Sequence, residues 1–213
     1  MEKRESSGEE LSLQKDDPEG ATPLCLDDLL GLKLPHIQTR EQLNEVEAAN
    51  ILQGQNWISG LKVLTLDDIF SRDFVVALHK SLLGDVWQWA GTFRLRELNI
   101  GVDPKNISVD LHNFLEDAKC WVEFKHFSDL ELSARIQHRL VQIHPFPNGN
   151  GRHSRIFTDI VRMFLLNKKP LKWANAKLED ISQERTNYID GLRKADGGDF
   201  SEMVHYLEKL GNE

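Results

Sequence analysis

Cysteine is scarce in this chain of 213 residues, which contains only Cys25 and Cys120, far apart in the sequence. Two cysteines at this separation match neither a zinc-ligand spacing nor the disulfide framework of a small secreted protein. Long apolar runs are also missing, and none approaches the ~20 residues that cross a bilayer. Residues 1–8 lack the apolar stretch of a signal peptide. We therefore expect a cytoplasmic protein without a membrane partner.

Positive charge is also in deficit. The chain has 26 Lys and Arg against 34 Asp and Glu, which gives a net charge of −8. Because nucleic-acid backbones are bound mainly through Lys and Arg, we expect no nucleic-acid partner. The hydrophobic fraction of 40% is that of an ordinary globular protein, and the length suits one core.

Composition and periodicity divide the chain into three parts. The first is polar and poor in large apolar groups, so burial cannot offset the entropy of ordering it. The second contains Thr39 and Gln42 at the spacing of a capping box, which predicts a helix from Arg40 to about Gln53. The parts are a flexible acidic tail (residues 1–20), an N-terminal helical segment (21–60) and the main domain (61–213).

The main domain is predicted to be mainly α. Apolar residues recur at helical spacing in one helix over Thr65–Leu83, then along 111–122, then in a helix capped by Ser128 that ends near Pro145. A further helix follows as far as about Asn167, and two more patterns complete the chain. Residues 87–101 differ, since Phe93 and Leu95 alternate there with Arg94 and Arg96, which predicts a short β-hairpin flap.

One loop carries residues suited to phosphate chemistry. Gly149 and Gly151 allow positive φ and close approach of a ligand to the backbone, where a following helix presents free amides and the positive end of its dipole. Arg152 and Arg155 lie about one helical turn apart and can bind phosphate oxygens together. His144 precedes the loop, and its imidazole can serve as a base. The loop therefore predicts a polyphosphate site.

Two plainer interpretations compete with that prediction. A Gly-Asn-Gly turn often only connects helices, and a single histidine is usually structural. His138 and His153 also bracket the loop and would suit zinc together with His144, but no carboxylate or cysteine lies at ligand spacing among them. We therefore do not predict a zinc site.

Residues 144–155 read His-Pro-Phe-Pro-Asn-Gly-Asn-Gly-Arg-His-Ser-Arg, which resembles the signature of the Fic (Fic/Doc) family. The segment Asp85–Arg94 resembles the approach to that family's target-binding flap, so the likeness covers about Thr65–Asn167. Residues 43–51 and 99–104 further resemble a bacterial subgroup called mobile mystery protein B.

The resemblance implies a protein adenylyltransferase, which moves AMP from ATP to a Ser, Thr or Tyr hydroxyl of a target protein. It implies that His144 is the general base and that the flap pairs with an extended target segment. The remaining residues follow by the same likeness: Gly149, Asn150, Gly151, Arg152 and Arg155 at the phosphates, Tyr188 near adenine, and Thr92, Phe93, Arg94 and Leu95 in the flap.

Two positions depart from the family pattern. Asn148 stands where the family has Asp or Glu as a ligand of Mg²⁺, so metal affinity is expected to be weakened. Many Fic proteins also carry an inhibitory helix whose Glu pairs with the arginine matching Arg155, in a pattern that is absent here. Glu47 and Asn50 nevertheless fall on the apolar stripe of the N-terminal helix, and we expect both to face inward, with Glu47 as the inhibitory residue.

Alternative functions remain open at this point. Doc relatives phosphorylate their targets, but their loop resembles Asp-Ala-Asn-Lys-Arg, whereas this chain keeps the second glycine and Arg155. Asn148 keeps open a third interpretation, in which the domain binds nucleotide without turnover. The resemblance also implies a toxin-antitoxin or mobile-element setting with an antitoxin-like regulatory partner.

Overall fold

Helices account for most of the structure, a computed structural model that describes residues 25–61, 64–173 and 182–212. Within those ranges no β-strand is present, and one isolated β-bridge joins Leu32 to Trp87. The predicted mainly α class is therefore confirmed. The helices are α1 (Leu26–Leu30), α2 (Arg40–Ser59), α3 (Leu66–Ile69), α4 (Arg72–Leu83), α5 (Ile107–Glu123, after a 3₁₀ turn at Pro104–Asn106), α6 (Asp129–Ile143), α7 (Asn150–Phe164), α8 (Gln183–Asp196) and α9 (Ser201–Asn212).

Side-chain caps determine where several helices begin. Thr39 accepts the amide of Gln42, and the Gln42 side chain accepts the amide of Thr39, so the predicted capping box of α2 is confirmed. Ser128 caps α6 as predicted. The single helix expected over Thr65–Leu83 is instead divided into α3 and α4, because Ser71 accepts the amide of Phe74 and begins a second helix.

The interior contains two apolar clusters. The larger one lies among α2, α4, α5, α6 and α7 and includes the fully buried rings of Trp87, Phe146 and Phe157. The smaller one joins α8 and α9 to α6 through Leu192, Met203 and neighbours. Since α6 contributes residues to both clusters, its C-terminal end is held from two sides, and this end leads into the loop at residues 144–149.

The N-terminal helical segment packs against the rest of the domain. Helix α2 packs along α4, and the Asn50 side chain accepts the amide of Asp85 at 3.0 Å. The chain before α2 forms backbone hydrogen bonds with residues 86–88. Both Glu47 and Asn50 are buried, which confirms that they face inward. Helix α2 is thereby placed beside the loop that precedes α7.

Other expectations concern features away from this region. None of the helices in the described part of the chain is long and apolar enough to cross a membrane. Cys25 and Cys120 are free thiols, as expected. The predicted tail at residues 1–20 lies outside the described residues.

Candidate active site

The loop between α6 and α7 is shaped by two residues with left-handed backbone. His144 ends α6 with φ 52° and ψ 60°, and Gly149 precedes α7 with φ 75°. The left-handed conformation costs a residue with a side chain ~1 kcal/mol or more, so His144 must be held by its surroundings. At Gly149 a side chain would meet Leu83, because an added Cβ would lie 2.4 Å from Leu83 Cδ1. Glycine is required there for both reasons.

His144 is held as a neutral imidazole with a defined tautomer. Its side chain is 4% exposed, and its Nδ1–H donates to the carbonyl of Val141 at 3.1 Å. A carbonyl can only accept, so the neutral ring keeps its lone pair on Nε2. Burial lowers the pKa of His144 to about 4, although the bond to Val141 raises it and the charge of Arg94 lowers it further. The ring can therefore accept a proton at Nε2 at neutral pH.

Asn150 closes the loop on itself. Its Oδ1 accepts the amide of Phe146 at 2.9 Å, and its Nδ2 donates to the carbonyl of Phe146 at 2.8 Å. Phe146 is fully buried, as expected for an apolar anchor. This pair of bonds fixes the angle between His144 and the start of α7. The expected contact of Asn150 with a phosphate stays a prediction, since one side-chain N–H remains outside this pair of bonds.

His79 supports the loop from behind and was missed by the sequence analysis. Its Nε2–H donates to the carbonyl of Asn148 at 3.0 Å, and its Nδ1 accepts the amide of Gly91 at 2.9 Å. Its ring stacks on Phe146 with a centroid distance of 3.7 Å. Burial holds the pKa of His79 well below its ordinary value. The available sequence signal for His79 was its position four residues after the apolar Val75, which places both residues on one face of α4.

The start of α7 presents the predicted phosphate-binding residues. Gly149 has a positive φ, but Gly151 lies within the first turn of α7 and does not, so the expectation of positive φ at Gly151 is wrong. A Cβ at Gly151 would lie 3.6 Å from Nη1 of Arg155, which places that guanidinium over the glycine. The amide of Gly149 donates to Asn148 Oδ1 at 2.6 Å. A phosphate at this amide would displace the Asn148 side chain.

Glu47 extends from α2 towards Arg152 and Arg155, but its carboxylate binds Arg152 and not Arg155, which was expected. Its Oε2 accepts from Nη1 of Arg152 at 2.8 Å, instead of pairing with Arg155. The reason lies in its other oxygen, because Oε1 accepts the indole N–H of Trp87 at 2.7 Å in a buried contact. With one oxygen fixed by Trp87, the carboxylate points its second oxygen at Arg152. Glu47 thereby binds the guanidinium of Arg152, which the sequence predicts to bind the phosphates of ATP.

The flap differs from the predicted hairpin. Residues 92–99 contain no paired strand, and the alternation is inverted, because Arg94 is 2% exposed while Leu95 is 93% exposed. Thr92 is exposed, and Phe93 is half-buried against Phe146 at a centroid distance of 5.6 Å. Arg94 binds this segment to the loop through its hydrogen bond to the carbonyl of His144, and residues 92–99 do not pair with one another as a hairpin. The Arg94 side chain is therefore buried, and the expected target-binding role of Thr92, Phe93, Arg94 and Leu95 stays a prediction.

Tyr188 lies in the smaller apolar cluster. Its side chain is 5% exposed, its hydroxyl accepts from Nε2 of Gln137 at 3.1 Å, and its ring packs near Tyr206. This environment matches the core interpretation of a tyrosine on an amphipathic helix. Its contact with adenine stays a prediction.

The metal role expected for Asn148 stays a prediction. In the described part of the chain, no three His, Cys, Asp or Glu residues are arranged to hold a metal ion. His138 instead pairs with Asp196 at 2.8 Å, and His153 donates to the carbonyl of Val75 at 3.0 Å. Asn148 offers one neutral amide oxygen, and that oxygen already accepts the Gly149 amide.

Comparison with known proteins identifies the domain around this loop. The family model described as Fic/DOC family matches residues 69–161. A protein adenylyltransferase Fic from Drosophila sechellia is 28% identical over 144 residues, and one from Aedes aegypti is 26% identical over 149 residues. Each match covers 66% of this chain but only 27% and 28% of the relatives. The chain thus spans about a quarter of the length of these curated relatives.

Solved structures share the fold at low sequence identity. Fic-1 of C. elegans has a TM-score of 0.61 at 23% identity and covers 84% of this chain and 51% of its own. The Fic domain of Bep8 from Bartonella sp. 1-1C has a TM-score of 0.65 at 17% identity, covering 84% and 94%. BepC of Bartonella tribocorum, solved with bound AMPPNP, has a TM-score of 0.63 at 18% identity, covering 82% and 88%. With the matching loop at residues 144–155, the family model shows that residues 69–161 contain a domain of the Fic/DOC family.

Proposed function

We propose that this protein is an adenylyltransferase that moves AMP from ATP to a Ser, Thr or Tyr hydroxyl of a target protein. The observation that carries the proposal is the state of His144, a buried neutral imidazole whose Nδ1–H is fixed on Val141. This histidine ends α6, and the loop that follows it leads through Gly149 into α7. Support also comes from the curated relatives named protein adenylyltransferase and from the relative solved with AMPPNP.

The reaction follows from this arrangement. Nε2 of His144 takes the proton of the target hydroxyl while the hydroxyl oxygen attacks the α-phosphorus of ATP. The bond between that phosphorus and the bridging oxygen to the β-phosphate breaks, and pyrophosphate leaves. The products are an AMP ester of the target and pyrophosphate, and the proton on His144 passes to solvent or to pyrophosphate.

The start of α7 supplies the binding site for the phosphates. The first amides of this 15-residue helix lack partners within the helix and carry its positive dipole end. Arg152 and Arg155 add two guanidinium groups suited to phosphate oxygens. The buried bonds of Asn150 and His79 keep the loop in one shape. Such preorganised donors stabilise charge that develops on the phosphates in the transition state.

We further propose that Glu47 restrains this activity. The carboxylate occupies Arg152, and its side chain is 10% exposed, so the ion pair is largely shielded from solvent. ATP can engage Arg152 fully only after Glu47 releases it. The proposal therefore predicts an enzyme with low basal transfer, in which the restraint belongs to the same chain as the active site.

The cytoplasmic, toxin-antitoxin setting implied by the bacterial resemblance is part of this proposal. In that setting an antitoxin-like protein would act on the chain. Glu47 already binds Arg152 within the chain, so such a partner would not need to supply a glutamate to this arginine. The partner would act by stabilising the position of α2.

The proposal is tested by following the two ends of ATP separately. The Glu47→Gly variant is incubated with Mg²⁺ and ATP labelled at either the α- or the γ-phosphate, and automodification is measured on the intact protein. The proposal expects label from the α position and none from the γ position. Label from the γ position would indicate a Doc-like kinase, and nucleotide binding without either label would indicate a binding module.

A further inference from the structure

The Arg94 side chain lies beneath the loop, inside the protein. It is 2% exposed, and its guanidinium donates to main-chain carbonyls from the flap, from the turn before α5 and from the end of α6. The Arg94 amide adds a hydrogen bond to the carbonyl of Pro145 at 2.9 Å. The guanidinium acceptors are His144 O (2.6 Å from Nε), Arg96 O (2.9 Å from Nη1), Ile143 O (3.4 Å from Nη2) and Val102 O (from Nη2).

This pocket is suited to a guanidinium. The last carbonyls of α6 have no partner within the helix and lie at the negative end of its dipole, so a cation with several donors is favoured there. Gly101 lets the guanidinium approach, because a Cβ at that position would lie 2.4 Å from Nη2 of Arg94 and 2.8 Å from Cβ of His144. Gly101 also has φ 116°, which side chains rarely adopt. The main chain at Gly101 therefore leaves room for both the Arg94 guanidinium and the His144 side chain.

We propose that Arg94 is the positioning residue of the general base. By holding the carbonyls on either side of the α6 end, it fixes the main chain of His144 in its left-handed conformation. The ring is then kept with Nδ1–H on Val141 and Nε2 ready to accept a proton. This role rests on the proposed function, and it links the flap residue 94 to the reacting atoms without a contact between Arg94 and the target.

Arg94 acts on His144 through its positive charge as well as through its hydrogen bonds to the main chain. Burial is the main cause of the lowered pKa of His144, and the positive charge of Arg94 lowers it further. Burial and the charge of Arg96 lower the pKa of Arg94, whereas the charges of Asp103 and Glu97 raise it. Charge and geometry can be separated by substitution, because lysine keeps the charge but cannot direct donors to all the carbonyls that the planar fork reaches.

The test compares Arg94→Gln and Arg94→Lys in the Glu47→Gly protein, using automodification by α-labelled ATP. Both variants should lower kcat by between ~10-fold and ~100-fold, since small misplacements of a reacting group cost about that much. KM for ATP should change less than about twofold, because the phosphates bind elsewhere. Arg139→Gln is the matched control, since Arg139 lies in the same α6 whose end Arg94 contacts, and it pairs with Asp110 without touching the loop. Values of kcat within about twofold of this control in both variants would overturn the proposal, as would full activity in Arg94→Lys.

Nuclear magnetic resonance tests the same proposal without measuring AMP transfer. In the wild-type protein, the Nε–H of Arg94 should exchange slowly, and the ¹⁵N shifts of His144 should report protonation at Nδ1. Arg94→Gln should raise the pKa of His144 and mix the two tautomers, whereas Arg94→Lys should mix the tautomers while the pKa stays low. Fast exchange at Arg94 Nε, or an unmixed tautomer in both variants, would overturn the positioning role. If wild-type and Glu47→Gly proteins transfer nothing, the proposed function fails while nuclear magnetic resonance still decides the role of Arg94.

Discussion

His144 is the residue on which the proposed chemistry depends, and its environment sets a definite pH dependence. Protonation removes the lone pair of Nε2, so the free enzyme loses its base only as the pH falls through about 4. The phosphates of bound ATP bring negative charge near the ring, and nearby negative charge raises the pKa of a histidine. The acid limb should therefore differ between the free enzyme and the ATP complex.

We predict that kcat/KM for ATP in the Glu47→Gly protein is flat between about pH 5.5 and pH 8, because the free-enzyme pKa of His144 lies below this window. The acid limb of kcat should lie at higher pH than that of kcat/KM. Initial rates of automodification, measured with saturating Mg²⁺ across this range, provide both profiles. An acid limb of kcat/KM near the ordinary histidine pKa of about 6.5 would contradict the buried, neutral state of His144.

Asn148 gives a second residue-scale prediction. A carboxylate at this position would attract the magnesium of the nucleotide more strongly than a neutral amide does. Asn148→Asp should therefore raise the rate of AMP transfer and lower the magnesium concentration that gives half the maximal rate. A titration with Mg²⁺ measures both quantities, and Asn106→Asp, at the exposed start of α5, controls for the added charge. Identical titrations for Asn148→Asp and wild type would mean that the amide is a competent substitute.

At the scale of elements, α2 packs along α4, and polar contacts with residues 85–87 fix the position of Glu47 on it. Trp87 fixes one oxygen of Glu47, and Asn50 binds the chain at Asp85 just before that tryptophan. Both contacts join α2 to the segment that leads into the flap. The position of Glu47 therefore depends on residues 85–87 as well as on its ion pair with Arg152.

Trp87→Phe should partly activate the enzyme. The phenyl ring keeps most of the buried apolar surface but cannot donate to Glu47, and a hydrogen bond to a charged group contributes ~2 kcal/mol. Automodification should rise several-fold, yet stay below that of Glu47→Gly. Trp89→Phe is the matched control, since its indole N–H donates to the carbonyl of Asp28 and the ring stacks on Trp87. Equal rates in the two tryptophan variants would argue against the role of Trp87.

The sequence predicted elements well where local chemistry decides them. The capping box at Thr39 and the cap at Ser128 both form as expected, and the loop that begins at His144 joins two helices as predicted. Helix α2 nevertheless continues to Ser59, past the end predicted at Gln53. Gly54 is not a stop signal but a point of close packing, because a Cβ there would lie 2.8 Å from Leu82 Cδ2. Such an approach between two helices cannot be read from local sequence.

At the scale of the whole molecule, the structural roles that the sequence did not predict depend on long-range contacts. The motif gave His144 and the arginines, whereas His79 and Arg94 act on backbone atoms 69 and 50 residues away. The alternating pattern at residues 93–96 also gave no sign that Arg94 is buried and Leu95 exposed. Arg94 lies inside because its guanidinium donates to carbonyls at the end of α6, which accept no hydrogen bond from within the helix.

The central claim is that the protein transfers AMP with His144 as the general base and that Glu47 of the same chain restrains this transfer. The most direct measurement compares the initial rate of α-label incorporation in wild type, Glu47→Gly and the double variant Glu47→Gly with His144→Ala, with ATP affinity measured in parallel. The account predicts a higher rate in Glu47→Gly than in wild type, and no incorporation in the double variant although it still binds ATP. Incorporation that persists without His144, or no increase without Glu47, would contradict it.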